Sequence, residues 1–128
     1  MGSRAAGAGR IIGIDINPAK FEFAKKFGIT EAINPLDYEK PFQDVLVEKT
    51  NGEVDYAFEC VGTTKTMEQA FYSLHKGWGL LSIVGIAPQG ENLQVSPFEF
   101  LYGKNYLQVH CMEISDVQSK SQKWLKNI

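Results

Sequence analysis

The sequence predicts a doubly wound α/β sheet of parallel strands, on three observations. Short β-branched runs alternate with stretches of helical periodicity along the chain. The connections between successive apolar runs are long enough for the crossovers that parallel pairing needs. The run Ile11-Ile12-Gly13-Ile14-Asp15-Ile16 does not alternate with polar residues, the pattern of a strand covered on both faces.

Taken in order, Ala5-Ala6-Gly7 reads as the end of a helix, with Gly7 or Gly9 closing it. Gly7, Gly9 and Gly13 have the wrong spacing for a phosphate-binding loop, and they precede a strand instead of following one. After the strand, Asn17 is a natural N-cap and Pro18 suits the first helical position. Phe23, Ala24 and Phe27 fall at helical spacing, and Gly28 is a stop signal. Residues 29–33 form a short candidate strand and Asn34-Pro35 a turn. Phe42, Val45 and Leu46 then give a helical stripe that ends near Asn51-Gly52. Residues 54–62 read as the next strand. Met67, Ala70, Phe71 and Leu74 follow at i, i+3, i+4 and i+7, an amphipathic helix punctuated by Gly77 and Gly79. Residues 80–84 are a strand closed by Gly85. A polar loop leads to one helical turn from Pro97 to Leu101, then to a last strand from Tyr106 to Cys111. Val117, Ser121, Trp124, Leu125 and Ile128 give the pattern of a terminal helix.

The totals bound the function. A chain of 128 residues, 44% hydrophobic and 22% charged, suits one globular domain with a modest core. A net charge of -2 with evenly scattered Lys and Glu gives no basic stripe, which argues against nucleic acid as a partner. No apolar run reaches membrane-spanning length, which argues against a membrane partner. Met1-Gly2-Ser3-Arg4 does not open a secretory leader, so the expected compartment is the cytoplasm. Cys60 and Cys111 do not suggest a disulfide framework.

Asp15 is the first functional candidate. With Asn17 supplying the helix cap, its carboxylate is expected to point beyond the carboxyl edge of the sheet, where open α/β sheets bind ligands. An acid at the end of a second strand in a dinucleotide-binding fold accepts hydrogen bonds from the adenosine ribose and repels a 2'-phosphate, which favours NAD over NADP. The same decapeptide also fits an ordinary surface aspartate before a helix. Glu59 and Cys60 alternate to opposite faces of their strand, and with no base beside it Cys60 is expected to pack in the core. His110-Cys111 diverge as adjacent strand residues and have no further ligands at zinc spacing, so no zinc site is expected. His75 is expected to be structural. No residue is assigned a catalytic role.

Residues 11–20, Asn34-Pro35, 54–62 and His75-Lys76-Gly77-Trp78-Gly79 running to Ile83-Val84-Gly85 together resemble the coenzyme domain of zinc-dependent medium-chain alcohol dehydrogenases. The similarity runs from about Ala5 to Lys104, near the group that includes glutathione-dependent formaldehyde dehydrogenase. The resemblance implies a Rossmann-like sheet and an NAD site. Asp15 would bind the adenosine ribose, with Lys20 reaching the same ribose; a solvated helix lysine is the other reading of Lys20. Ile16, Val61, Gly62 and Thr63 would flank the adenine. Val84, Gly85 and Ile86 would lie near the nicotinamide half.

Matched against that family, the sheet is expected to be incomplete, lacking the first strand and its Gly-rich turn. In the order 3-2-1-4-5-6 that loss separates strands 2 and 3 from strands 4 to 6 and exposes apolar edges. The zinc-bearing catalytic domain is missing too, so zinc belongs to the parent family only. The chain reads as a truncated piece, inactive alone, with a weak or partial NAD site. Residues 1–113 are expected to form the partial NAD-binding domain and 114–128 a divergent tail with a helical pattern. Gly103-Lys104 stands where the family has Gly-Arg running towards Phe-Gly-Gly, which puts its backbone contact to the nicotinamide amide in doubt. A second hypothesis is a non-catalytic interaction fragment that pairs through sheet edges, as a homodimer or with a full-length subunit. A Rossmann-like methyltransferase would also use an acid after strand 2, but the extended dehydrogenase resemblance argues against it.

Overall fold

A computed structural model describes residues 1–103 and 106–109, with side chains through Phe100. The expected terminal helix over 117–128 and the His110-Cys111 pair lie outside the described residues. The chain divides into two compact units, one comprising Met1–Glu39 and the other beginning at Lys40.

The first unit opens with helix α1 (Gly2–Ala5), after which Gly7 takes a left-handed φ of 85°. Strand β1 (Ile12–Ile14) pairs in parallel with β2 (Glu31–Ile33), Ile12 opposite Glu31 and Ile14 opposite Ile33. Between them a 3-10 turn over Pro18–Lys20 runs into helix α2 (Phe21–Lys26). Asn17 caps that turn as expected, its side chain accepting from the Ala19 amide, and Gly28 ends the helix with a φ of 103°.

One expectation for β1 fails. The run has the pattern of a strand covered on both faces, yet Ile14 is 45% and Ile16 64% exposed. Among the described residues β1 has β2 as its sole strand partner, and an apolar run is buried on both faces only where layers pack on each side of its sheet. The apolar composition suits a central strand, but among the described residues Ile14 and Ile16 are not covered.

The second unit holds the larger core. Helix α3 (Phe42–Thr50) buries Phe42, Val45 and Leu46, and Asn51 closes it in the left-handed conformation with φ 56°. Strand β3 (Tyr56–Glu59) leads to helix α4 (Thr64–Tyr72), then to β4 (Leu80–Ile83), helix α5 (Pro97–Gly103) and β5 (Tyr106–Val109). These strands form a parallel sheet in the order β3-β4-β5, with Tyr56 opposite Leu80 and Leu80 opposite Tyr106. Met67, Phe71 and Leu74, from α4 and the turn after it, pack with Leu81 and Ile83 of β4, and Val54, Ala57, Leu93 and Val95 close the margins. Phe71 and Leu81 are wholly excluded from solvent. Among the described residues every strand pairing is parallel and the strands alternate with helices, as the sequence predicts for a Rossmann-like α/β fold. Its sheet is incomplete, the described strands forming two separate parallel sheets.

The segment after β4 is less free than its polar composition suggests. Thr64 Oγ1 donates to Glu91 Oε2, the Gln94 amide to Glu68 Oε1 and the Ser96 amide to the Tyr72 hydroxyl, all three partners standing on α4. His75 stacks on the Trp78 indole, ring centroids 4.0 Å apart, while Trp78 Nε1 donates to Asp55 Oδ1 at 3.0 Å. That is the structural role expected for His75.

Candidate functional site

Two groups of residues gather at the carboxyl ends of the strands, one in each unit. In the first, Asp15 follows β1 directly and its amide donates to the Ile33 carbonyl at 3.3 Å, continuing the β1–β2 pairing. Its side chain then turns to the loop. Oδ1 accepts from the Asn17 amide at 2.9 Å and Oδ2 accepts from Lys20 Nζ at 2.7 Å. The side chains of Asp15 and Lys20 remain 30% and 62% exposed, so a ligand reaches both. Lys20 and then the Asn17 amide hold the Asp15 carboxyl below its ordinary value, because both favour the charged form.

Asp15 is therefore less free than its sequence position implied. Asn17 caps the helical turn, yet Asp15 also holds the Asn17 amide, a short-range turn that Asp and Asn side chains commonly form. An ionised carboxylate offers about four acceptor positions, so both oxygens retain capacity for a diol. A cleft of about 270 Å³ adjoins the pair, lined by Asp15 and Lys20 at its polar end and by Ile14, Phe23, Ala24 and Ile29 along its apolar wall. Ile16 stands exposed beside them.

In the second unit, the turn after β3 and the turn after β4 meet. Val61, Val84 and Ile86 leave 70%, 37% and 87% of their surfaces exposed, three apolar side chains together at one sheet end. Thr63 caps α4, its side chain accepting from the Thr66 amide. Gly62 has φ 87°, and a Cβ there would stand 2.7 Å from the Ile86 carbonyl oxygen. A Cβ on Gly85 would stand 2.2 Å from the Gly62 nitrogen. Glycine at both places is required by the contact between the two turns.

Beneath that contact lies Glu59, 4% exposed. Its Oε1 accepts from the Val61 amide, the Gly62 amide and Thr66 Oγ1 at 2.9, 3.0 and 2.8 Å. The sequence placed Glu59 and Cys60 on opposite faces, but not the faces themselves. The structure buries the acid and leaves Cys60 exposed as a residue, which corrects the reading of Cys60 as core packing. Alternation fixes the relative phase of neighbours; which phase is covered depends on where α4 packs. Partial burial of the sulfur, and then the Glu59 charge, push the Cys60 thiol up, which disfavours the thiolate.

The Asp15–Lys20 pair has the chemistry of a ribose-binding site. A strand-end carboxylate paired with an ammonium supplies the acceptor and donor that a ribose diol needs. Among the described residues, no three His, Cys, Asp or Glu side chains gather as metal ligands. No described helix is long and apolar enough to cross a membrane.

Comparisons with known proteins agree with the fold. The family model described as zinc-binding dehydrogenase matches residues 1–126. The chain is 50% identical over 103 residues to the class-3 alcohol dehydrogenase of Oryza sativa subsp. japonica, a match covering 80% of the chain and 27% of that relative. It superposes on an alcohol dehydrogenase zinc-binding domain protein from Burkholderia ambifaria with a TM-score of 0.77 and 30% identity, over 84% of the chain and 28% of the other. A Sinorhizobium meliloti protein described as a zinc-binding dehydrogenase and bound to NADP gives 0.74 and 26%, over 84% and 31%. The chain thus spans about a quarter to a third of the length of these relatives.

Proposed function

The chain belongs to the zinc-binding dehydrogenase family, and from that premise we propose that it holds the NAD of an alcohol dehydrogenase whose full-length form moves hydride between an alcohol and the cofactor. The observation that carries the reading is the Asp15–Lys20 pair, 2.7 Å apart at the end of β1 with both side chains open to solvent. The dinucleotide, when bound, supplies the hydride acceptor. Asp15 accepts from the ribose hydroxyls and Lys20 donates to the same sugar. Ile16, Val61, Gly62 and Thr63 flank the adenine, and Val84, Gly85 and Ile86 face the nicotinamide half. The exposed apolar surfaces of Val61, Val84 and Ile86 support that assignment, since a bound ring would remove them from water.

The Asp15 charge argues for NAD over NADP, because a 2'-phosphate would meet the carboxylate directly. Taken alone, the chain is read as holding the cofactor without oxidising an alcohol. The test is a two-dimensional amide spectrum of the purified chain with and without NAD, with Asp15→Ala as control. Shifts at residues 15–20 that vanish in a folded Asp15→Ala protein support the reading; shifts that persist unchanged in the variant refute it. Zinc-dependent NADH production from an alcohol by the chain alone would overturn the inactive reading.

A second reading, pairing through sheet edges with a second copy or a full-length subunit, is favoured by Tyr56 and Phe58. They are 67% and 58% exposed on β3, which pairs on one side with β4 and among the described residues has no partner on the other. Sedimentation of a concentration-independent monomer would count against it.

A further inference from the structure

We propose that Glu59 is the positioning residue of the cofactor site, fixing through its buried carboxylate the backbone of the turn at the end of β3, against which the turn at the end of β4 rests. The inference rests on the reading of those turns as cofactor-facing. One residue holds both. Its side chain gathers the Val61 amide, the Gly62 amide and Thr66 Oγ1. Its carbonyl accepts from the Val84 amide at 2.8 Å and the Gly85 amide at 3.0 Å. The turns are themselves in contact, the Gly62 nitrogen filling the space that a Cβ on Gly85 would need. Displacing one turn therefore displaces the other.

Stability alone is a poor account of this carboxylate. Glu59 Oε2 is buried with no hydrogen-bond partner, and no cation among the described residues pairs with the group. An unpartnered buried oxygen destabilises a fold, and apolar residues of similar volume often replace buried ionic groups without loss. What an apolar residue cannot do is accept two successive amides and a hydroxyl at one point. That requirement belongs to the geometry of residues 61–63, the exposed turn above it. The carboxylate also stands before the first turn of α4, where the helix dipole favours an anion.

The experiment uses the 128-residue chain, with Glu59→Leu and Glu59→Gln, reading NAD affinity and the Val61 and Gly62 amide resonances. In the unsubstituted chain those two amides should exchange slowly with solvent. Glu59→Leu, which removes the acceptor, should lose that protection and bind NAD about tenfold or more weakly, while the Asn17 amide resonance stays in place. Glu59→Gln, which keeps an acceptor oxygen, should rescue both to within about twofold. Unchanged NAD affinity in Glu59→Leu, or fast exchange of the two amides in the unsubstituted chain, overturns the proposal. If Glu59→Leu fails to fold, Glu59→Gln decides: retained protection with retained affinity supports the role, and affinity lost while protection persists overturns it. An unsubstituted chain that binds no NAD overturns the cofactor reading itself, and with it this proposal. That result is seen without any variant, so it is distinct from a failure of Glu59 alone.

Discussion

Gly85 approaches Gly62 so closely that a Cβ on Gly85 would lie 2.2 Å from the Gly62 amide nitrogen and 2.6 Å from Glu59 Oε2. The first neighbour is backbone, and the second ends a side chain that three hydrogen bonds hold through its other oxygen. Gly85→Ala should therefore cost about 1–3 kcal/mol or more, by forcing backbone to move. Gly90 has open space around it but a φ of 93°, so Gly90→Ala should cost about 1 kcal/mol from backbone strain. Gly9 has neither obstacle, and Gly9→Ala should stay within about 0.5 kcal/mol. Urea unfolding of the three variants checks the order.

Removing the Asp15 carboxylate should weaken NAD binding about tenfold or more, since a charged acceptor is lost from the ribose. Asp15→Asn keeps the size and an acceptor oxygen but not the charge. It should narrow the preference for NAD over NADP by relieving repulsion of the 2'-phosphate. Titration calorimetry with the two cofactors separates these effects.

The pH dependence follows from the sign of the Asp15 shift. Lys20 first, and then the Asn17 amide, hold the folded carboxyl below its ordinary range, so it stays ionised throughout the neutral and mildly acid region. Its contribution to folding is present above the unfolded carboxylate value and is lost as pH falls through the lower folded value. NAD affinity should be flat with respect to this group through the ordinary carboxylate range and weaken only below it. Lys20→Met should move the Asp15 titration upward, read from its carboxyl carbon resonance.

Legibility in the sequence followed the range of the interactions involved. Local signals did well: Asn17 and Asn34 cap their turns, and Asn51 ends α3 in the left-handed conformation. The 3.6-residue spacing of Met67 and Phe71 located α4 and its buried face. What the sequence did not reveal depends on partners distant in the chain. A run as apolar as residues 11–16 suits a central strand, yet Ile14 and Ile16 are exposed where the described sheet has two strands. The burial of Glu59 depends on the packing of α4 over β3 and β4, partners that lie outside β3 itself. A signal was nevertheless there: Ala57 and Glu59 share one phase and Tyr56 and Phe58 the other, and the smaller pair faces the helix.

That division of β3 predicts opposite responses from two phenylalanines. Phe71 on α4 is fully excluded from solvent, with its ring centroid 5.1 Å from that of Phe100. Phe71→Ala should cost about 3–5 kcal/mol, the lost transfer free energy plus a cavity. Phe58 is 58% exposed on the open face of the sheet, and Phe58→Ala should fall within about 0.5 kcal/mol if that face stays free. A large effect at Phe58 that grows with protein concentration would favour the pairing of copies.

Cys60 gives a prediction in which exposure and reactivity part. Its position at the end of β3 leaves the residue exposed, which by itself invites modification. The thiolate is the reacting species, and burial of the sulfur followed by the Glu59 charge raises the thiol above its ordinary value. At pH 7 the Cys60 peptide should therefore be alkylated by iodoacetamide more slowly than a free cysteine, with the rate climbing through pH 9. Glu59→Gln removes the second cause and leaves the first, so it should speed the reaction without restoring the rate of a free thiol. Peptide-resolved mass spectrometry over a time course measures both. A Cys60 that reacts as fast as free cysteine at pH 7 would show that neither the sulfur's surroundings nor the Glu59 charge bears on it.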